Sequence, residues 1–408
     1  MNIPFAPPFI DDEVIEEVNN TLKSGWITTG PKTYALEKEV SRISGASNVL
    51  CVNSATSGLI LSLKWFGIGD GDEVIVPSYT YSATALAVLH LGAIPVMVDV
   101  KTDFTIDPEK VRTAITSKTK AVIPVDIAGW PADYDSINRI VNEPRIKRVF
   151  SPKCSNQEKL GRILVLSDAA HSIGALYKGK KTGCLCDITV FSFHAVKNIT
   201  TAEGGAICLN LPEAFSNEDC HSTLKLLSLN GQTKNAYSKM HAGGWRYDIV
   251  LQGFKMNMPD VCAAIGLAQI RKYASVILPE RKRVAKAYVT AFNNFEWAQL
   301  PPLKDRNTES SYHLFALRII GITDSQRDRI IEEICNRNIA VNVHFIPMPM
   351  LTLFKELGFR IGDHPVAYDN YAREISLPIY PQLTNRQIKF IVEKVAESYF
   401  KVVKTTND

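Results

Sequence analysis

The chain lacks several features that would point to particular function classes. Its 408 residues contain no block of lysine and arginine; 46 basic residues are interspersed with 42 acidic ones, for a net charge of +4. A dedicated nucleic-acid binder needs a clustered basic face, so that class is disfavoured. No unbroken apolar run approaches the ~18 residues that span a bilayer, and no membrane partner is expected. The first residues, MNIPFAPPFIDDEVIEEV, have no basic segment, apolar stretch or small-residue cleavage site. They predict no signal peptide and a cytoplasmic protein. Glycine (23) and proline (21) are too sparse for collagen-like or low-complexity structure. The eight cysteines are scattered, and only Cys184 and Cys186 are close. One C-x-C without a second pair predicts reduced thiols and no metal site.

What is present is an alternation of short apolar runs with helical stretches. Residues 49–52, 73–76, 95–100, 120–127, 163–166, 188–193 and 206–209 read as strands. Helices are expected at 13–23, 33–43, 59–66 and 83–91. This rhythm predicts a mainly parallel seven-stranded sheet covered on both faces. It stops near residue 211. Long helices are expected over 259–295, broken at Pro279. A smaller α/β unit follows, with strands at 314–320 and 340–345 and helices at 325–336 and 384–400. The division predicts a large domain over 13–255 and a smaller one over 256–408, on which residues 1–12 pack. The tail 404–408 reads as frayed.

Three segments carry chemistry, and each follows a strand, where ligands of open α/β sheets collect. Asn53-Ser-Ala-Thr56-Ser57-Gly58 opens a helix and offers backbone N–H groups to an anion, although serine and threonine there are also ordinary caps. Asp168-Ala-Ala-His171 places a carboxylate at a strand end, where it could hold a ring N–H; a capping acid and a core histidine are the plain alternative. Lys197 lies beyond 188–193, before Thr200, Thr201 and the pair Gly204-Gly205. Beside an apolar strand its amine is a nucleophile toward carbonyls; otherwise it is a loop lysine. Taken together they describe one ligand, with a phosphate, a protonated ring nitrogen and an aldehyde. That is pyridoxal 5′-phosphate. Asp168 and Lys197 are 29 residues apart, room for one connection and one further strand. Tyr79 and Tyr81 follow residues 73–76 and could stack on the ring.

The stretches SGWITTGPK (24–32), VNSATSG (52–58), GDGDEVIVPSYTYSATA (69–85), SDAAHSIGALYKGKKTG (167–183), FSFHAVKNITTAEGGAI (191–207), GFKMNMPDVCAAIGLAQI (253–270) and SLPIYPQLT (376–384) together resemble the DegT/DnrJ/EryC1/StrS nucleotide-sugar aminotransferases. The resemblance implies a fold-type-I pyridoxal-phosphate enzyme. It is nearest to enzymes that aminate C4 of a UDP-linked 4-keto sugar, of the 4-amino-4-deoxy-L-arabinose and 6-deoxy N-acetylhexosamine types. Surface-polysaccharide synthesis, L-glutamate as amino donor and a homodimer with shared active sites come with it. It implies Lys197 as the Schiff-base lysine, Asp168 as partner of the ring nitrogen, His171 near the ring hydroxyl and Tyr81 stacked on the ring. Thr56, Ser57 and Ser192 would hold the phosphate, and Asn257 the phosphate of the partner subunit's cofactor. Thr28, Thr29, His194, Tyr312 and His344 would line the sugar-nucleotide site.

The chain departs from the family pattern in four places. Ser167 replaces a glutamate, Ala55 a glycine, and Asp126 a histidine whose replacement could mark a different sugar. Residues 143–162 read as an insertion, either a surface loop or a contact with substrate or partner. C3 aminotransferases and enzymes of dTDP- or GDP-sugars share the scaffold and are the alternative. A sugar dehydratase would carry histidine at position 197. A catalytically silent cofactor-binding module is the non-enzyme alternative.

Overall fold

The computed structural model describes residues 1–234 and 245–404, so residues 405–408 of the expected frayed tail lie outside the described residues. Strands β1 (Asn48–Val52), β2 (Glu73–Pro77), β3 (Ile94–Val98), β4 (Thr119–Val122) and β5 (Leu164–Asp168) come first in the chain. The short β6 (Leu176–Tyr177) and β7 (Lys180–Lys181) precede β8 (Ile188–Ser192) and β9 (Gly205–Leu209). The large sheet has seven strands in the order β1-β9-β8-β5-β4-β2-β3. All neighbours are parallel except β9, which runs against both β1 and β8.

Alternation along the strands explains why both faces are covered. Leu50, Val52, Ile207 and Leu209 point into one core with Leu59 and Leu63 of the Ala55–Trp65 helix. Their neighbours Val49, Cys51, Ala206 and Cys208 point into a second core, with Leu36 and Val40 of the Pro31–Ser44 helix. Two apolar faces require two helical layers, which parallel crossovers supply.

The rest of the chain builds β10 (Ala298–Gln299), β11 (Thr308–Glu309), β12 (Phe315–Ile319) and β13 (Glu374–Leu377). β10, β12 and β13 form an antiparallel sheet, and β11 pairs with β6. Ile3 bridges Ile339 and joins the apolar cluster under that antiparallel sheet.

Four expectations are corrected. Residues 340–345 are not a strand; they make one bridge to β13, Asn342 to Ser376. The ladder ends because the His344 N–H turns to the Glu374 side chain instead. β4 stops at Val122: Pro124 has no N–H to carry the ladder on, and Val125 makes only an isolated bridge to Asp168. The irregularity near Pro279 is a π-helical turn over Tyr273–Ile277. Pro279 follows this turn inside the same helical run, and the wider π turn before it accommodates a residue that cannot donate a backbone N–H. The continuous helical run Asp260–Phe292 is long and apolar enough to cross a membrane by length and composition. Gln269, Arg271 and Lys272 hide this from a search for unbroken apolar stretches. Half of its most apolar window is buried, and the Asp260–Lys272 part packs on the Pro31–Ser44 and Asp12–Lys23 helices.

Residues 143–162 form two short helices, Pro144–Val149 and Ser155–Leu160. Ile146 and Phe150 enter the large core, and Asn156 and Gln157 donate to the carbonyls of Trp65 and Phe66. The segment thus seals the far end of the Ala55–Trp65 helix, ten residues from Thr56, and precedes β5 rather than following it. It is structural support at the amino-terminal edge of the sheet.

Candidate active site

A cavity of about 390 Å³ lies where β1, β2, β5 and β8 end and the reversed β9 begins. The Ala55–Trp65 helix starts on its wall. Ser54 caps that helix, its Oγ accepting from the Ser57 N–H at 3.1 Å. The N–H groups of Ala55 and Thr56 fall in the first turn, which has no intrahelical acceptors, and both residues line the cavity. A Cβ on Gly205 would lie 2.7 Å from the Ala55 nitrogen, so only glycine lets β9 meet this helix start. Ser192, the last residue of β8, lines the same corner.

Asp168 closes β5 and is buried. Its Oδ2 accepts from Thr84 Oγ1 at 2.7 Å, and Oδ1 from the Ala170 N–H at 3.3 Å. Burial nevertheless pushes this carboxyl above the usual range, with only part of the cost returned by those donors and by Lys197. A carboxylate so placed gains most from a cationic N–H donor. Lys197 follows β8 on a short turn, its N–H donating to the His194 carbonyl at 2.9 Å. Burial lowers its amine to about 8, and Asp168 opposes the drop. A substantial neutral fraction at neutral to mildly basic pH makes it a usable nucleophile.

His171 is buried three residues after Asp168. Its Nδ1 accepts from the Ala128 N–H at 3.2 Å, so its proton sits on Nε2. Burial and the nearby Lys197 keep the ring neutral. Tyr81 is 62% exposed and lines the cavity beside Phe345, free to cover a flat ligand. His194 lies at the mouth, 3.5 Å from Glu203, and His344 forms another wall.

Thr56, Tyr81, Asp168, His171, Ser192, His194, Lys197 and His344 therefore share one cavity. Six other expected residues stand apart from it. The Ser57 hydroxyl turns inward and donates to Asn53 Oδ1 at 2.6 Å. Thr29 donates to the Met258 carbonyl and accepts from Asn257 Nδ2, while Asn257 Oδ1 accepts from Lys255. Thr28 belongs to that same segment before the Pro31–Ser44 helix. Tyr312 is buried in the small core with its hydroxyl on Glu309. Tyr79 is also buried, and it donates to the His344 carbonyl at 2.7 Å.

His313 takes the place expected of Tyr312. Tyr312 has a φ of 56°, and this left-handed step sends its ring to the core and its successor to the cavity. The His313 ring lies 4.4 Å from that of His171, and its Nδ1 pairs with Asn198 Oδ1 at 3.1 Å. Phe5 was also missed. It lines the cavity from the N-terminal segment and stacks on His344 at 5.4 Å. A histidine after a tyrosine is a faint local signal; for Phe5 there is none.

Asp126 is buried outside the cavity lining, which removes the reading of it as a marker of the sugar. Its Oδ1 accepts from the Ala132 N–H and the Tyr134 hydroxyl, and its Oδ2 from Ser172 at 2.6 Å. It ties the chain after β4 to the turn that carries His171. Asp126→Ala strands two buried donors, the Ala132 N–H and the Ser172 hydroxyl, while the Tyr134 hydroxyl keeps Ser167, and it is expected to cost about 2–3 kcal/mol. Thermal unfolding should show a lowered Tm with an unchanged KM for the sugar; a changed KM at unchanged Tm would contradict this placement.

The arrangement matches a known family. The profile of the "DegT/DnrJ/EryC1/StrS aminotransferase family" matches residues 8–150 and 154–396. Protein MJ1066 of Methanocaldococcus jannaschii is 39% identical over 398 residues, 96% of this chain and 97% of its own. The spore coat polysaccharide biosynthesis protein SpsC of Bacillus subtilis is 35% identical over 402 residues, 97% of this chain and 96% of its own. Among solved structures, the apo form of Spr1654 from Streptococcus pneumoniae, assigned as a sugar aminotransferase, superposes with a TM-score of 0.95. It is 40% identical, with both chains fully covered. Spr1654 also has structures in PLP and PMP forms. With the family profile spanning nearly all of it and Asp168 and Lys197 meeting in one cavity, the chain belongs to the DegT/DnrJ/EryC1/StrS aminotransferase family.

Proposed function

We propose that this protein moves an amino group from L-glutamate to C4 of a UDP-linked 4-keto-6-deoxy (N-acetyl)hexose, for surface-polysaccharide synthesis in the cytoplasm. It is a pyridoxal-phosphate-dependent aminotransferase. The observation that carries the reading is the pairing, in one cavity, of the buried Asp168 carboxyl with a lysine amine lowered to about 8.

The cavity residues fit the cofactor. The helix start at Ala55 and Thr56, with Ser192 and the close approach at Gly205, makes a cradle for a phosphate. When bound, the cofactor supplies an aldehyde that carries the amino group and a ring that accepts electrons. Asp168 keeps a proton on the ring nitrogen. Lys197 presents a neutral amine to the aldehyde and afterwards moves the substrate proton. His171 donates through Nε2–H to the ring hydroxyl, and Tyr81 covers the ring face. Asn257, held outside this cavity, serves the partner subunit's phosphate in a homodimer. His194 and His344 face the sugar nucleotide. The polysaccharide role of SpsC and the sugar assignment of Spr1654 support the substrate class.

Absorbance tests the first half of the reaction. The purified holoenzyme should show a band near ~410–430 nm that moves toward ~330 nm on adding L-glutamate. UDP-4-keto sugars should then restore the first band faster than UDP-3-keto, dTDP- or GDP-linked ones. A band indifferent to glutamate would overturn the donor. Failure to bind pyridoxal phosphate would overturn the roles of Lys197 and Asp168.

A further inference from the structure

Behind the cavity wall lies a short polar chain that none of the roles above uses. Ser376 Oγ lies 2.5 Å from Glu374 Oε1 and 2.9 Å from His344 Nδ1. Glu374 Oε2 accepts from the His344 N–H at 2.9 Å. Tyr79 holds the His344 carbonyl, and Phe5 covers its ring. His344 is thus fixed at its backbone N–H, its carbonyl, Nδ1 and one ring face, and it still lines the cavity. Glu374 and Ser376 are completely buried.

A hydroxyl between two partners donates to one and accepts from the other. With Glu374 ionised, Ser376 must donate to the carboxylate, so it accepts from His344 Nδ1–H. The imidazole is neutral, and its Nε2 is then bare. With Glu374 protonated every bond reverses: carboxyl to serine, serine to Nδ1, and the ring proton moves to Nε2. We propose that Glu374 and Ser376 are positioning residues that set the tautomer of His344, and so decide whether Nε2 offers the sugar substrate an acceptor or a donor. The assignment of a sugar to this wall rests on the function proposed above; the relay itself does not.

The electrostatics are compatible. Burial raises Glu374 to about 8, although Arg327 and Arg318 favour its charged form. Burial and Lys197 push His344 down to about 3, so its tautomer and not its charge is the variable. Tyr79, also facing Glu374, is held protonated by burial. His171 and His313 face His344 and are kept neutral by burial. Lys197 titrates near the same pH as Glu374.

Nitrogen NMR of the ¹⁵N-histidine holoenzyme reads the tautomer directly, because the protonated and bare ring nitrogens resonate far apart. The His344 signals are those lost in H344Q. Wild type should carry the proton on Nε2 at about pH 6.5 and on Nδ1 at about pH 9, either side of the Glu374 value. E374Q removes the titration and keeps Lys197. Its amide oxygen must take the His344 N–H, leaving the NH₂ to donate to Ser376, so Nε2–H should persist at both values. Over this range the KM for a UDP-4-keto sugar should shift about tenfold more in wild type than in E374Q, whose remaining shift is that of Lys197. One tautomer at both pH values in wild type, or a pH-dependent one in E374Q, overturns the proposal. If E374Q does not fold, S376A substitutes: without the hydroxyl the tautomer should cease to follow pH, and continued following overturns the relay. Absence of any amino transfer would defeat the functional reading, while the nitrogen spectra would still decide the relay.

Discussion

Lys197→Ala is expected to abolish amino transfer, by about 10⁵-fold or more, together with the long-wavelength absorbance of the bound cofactor. The size of the effect follows from what no neighbour can replace. In the proposed function the lysine supplies both the amine that joins the aldehyde and the base that moves the substrate proton. His171 and His344 line the same cavity, but an imidazole could at most replace the base and not the primary amine that joins the aldehyde. Lys197→Arg should be equally inactive, since a guanidinium keeps the charge and cannot form the bond. The fold should survive, because Asp168 retains Thr84 and the Ala170 N–H. Circular dichroism and Tm would confirm that. In the cofactor-free wild type, capture of pyridoxal phosphate should accelerate as pH rises through about 8, where the Lys197 amine loses its proton. Turnover retained in K197A would remove the lysine from the mechanism.

Asp168→Ala should lower kcat by about 10²–10³-fold, with the KM for the sugar little changed. In the proposed function the carboxylate acts on the ring nitrogen and not on the substrate, so binding and chemistry should separate. Its burial makes the effect large. In water a single hydrogen bond to a ring nitrogen is worth little; beneath a closed sheet edge the opposing charge is poorly screened. Burial already costs this carboxyl enough to raise its pKa, and a cationic ring N–H restores the charged form. Removing the carboxylate also takes the 2.7 Å acceptor from the Thr84 hydroxyl but leaves it the Tyr81 carbonyl at 3.2 Å and Thr80 Oγ1 at 3.1 Å, so the loss of stability should stay near about 1 kcal/mol. Steady-state kinetics of each half-reaction decide the matter. A kcat within tenfold of wild type would mean that the ring needs no proton held there.

The strand–helix rhythm, the sheet of seven strands and the strand-end positions of Asp168, Lys197 and Ser192 were legible before any coordinates. Such features are local. A buried parallel strand must be apolar on both faces, and the residue after it emerges at the carboxyl edge whatever the rest of the chain does. The N-terminus of the Ala55–Trp65 helix was legible for the same reason, since a capping serine and small residues mark it.

Other parts of the site depended on contacts between distant segments. Phe5 reaches His344 only because Ile3 pairs with Ile339. Asp126 reads as a strand-end acid, and its burial beneath Tyr134 and Ser172 shows it to be a tie. Tyr312 and His313 exchanged roles through one left-handed φ, which no pattern of side chains announces in a tyrosine. Glu374 and Ser376 alternate with apolar residues as any strand does; they become a relay when residues 342–344 cross beside β13. The sequence by itself determined the architecture and the cofactor and put Asp168 and Lys197 at strand ends, because those follow from periodicity and from where buried strands stop. Tertiary structure alone decided which side chains wall the cavity, because burial and hydrogen-bond partners there come from residues up to about 340 positions apart.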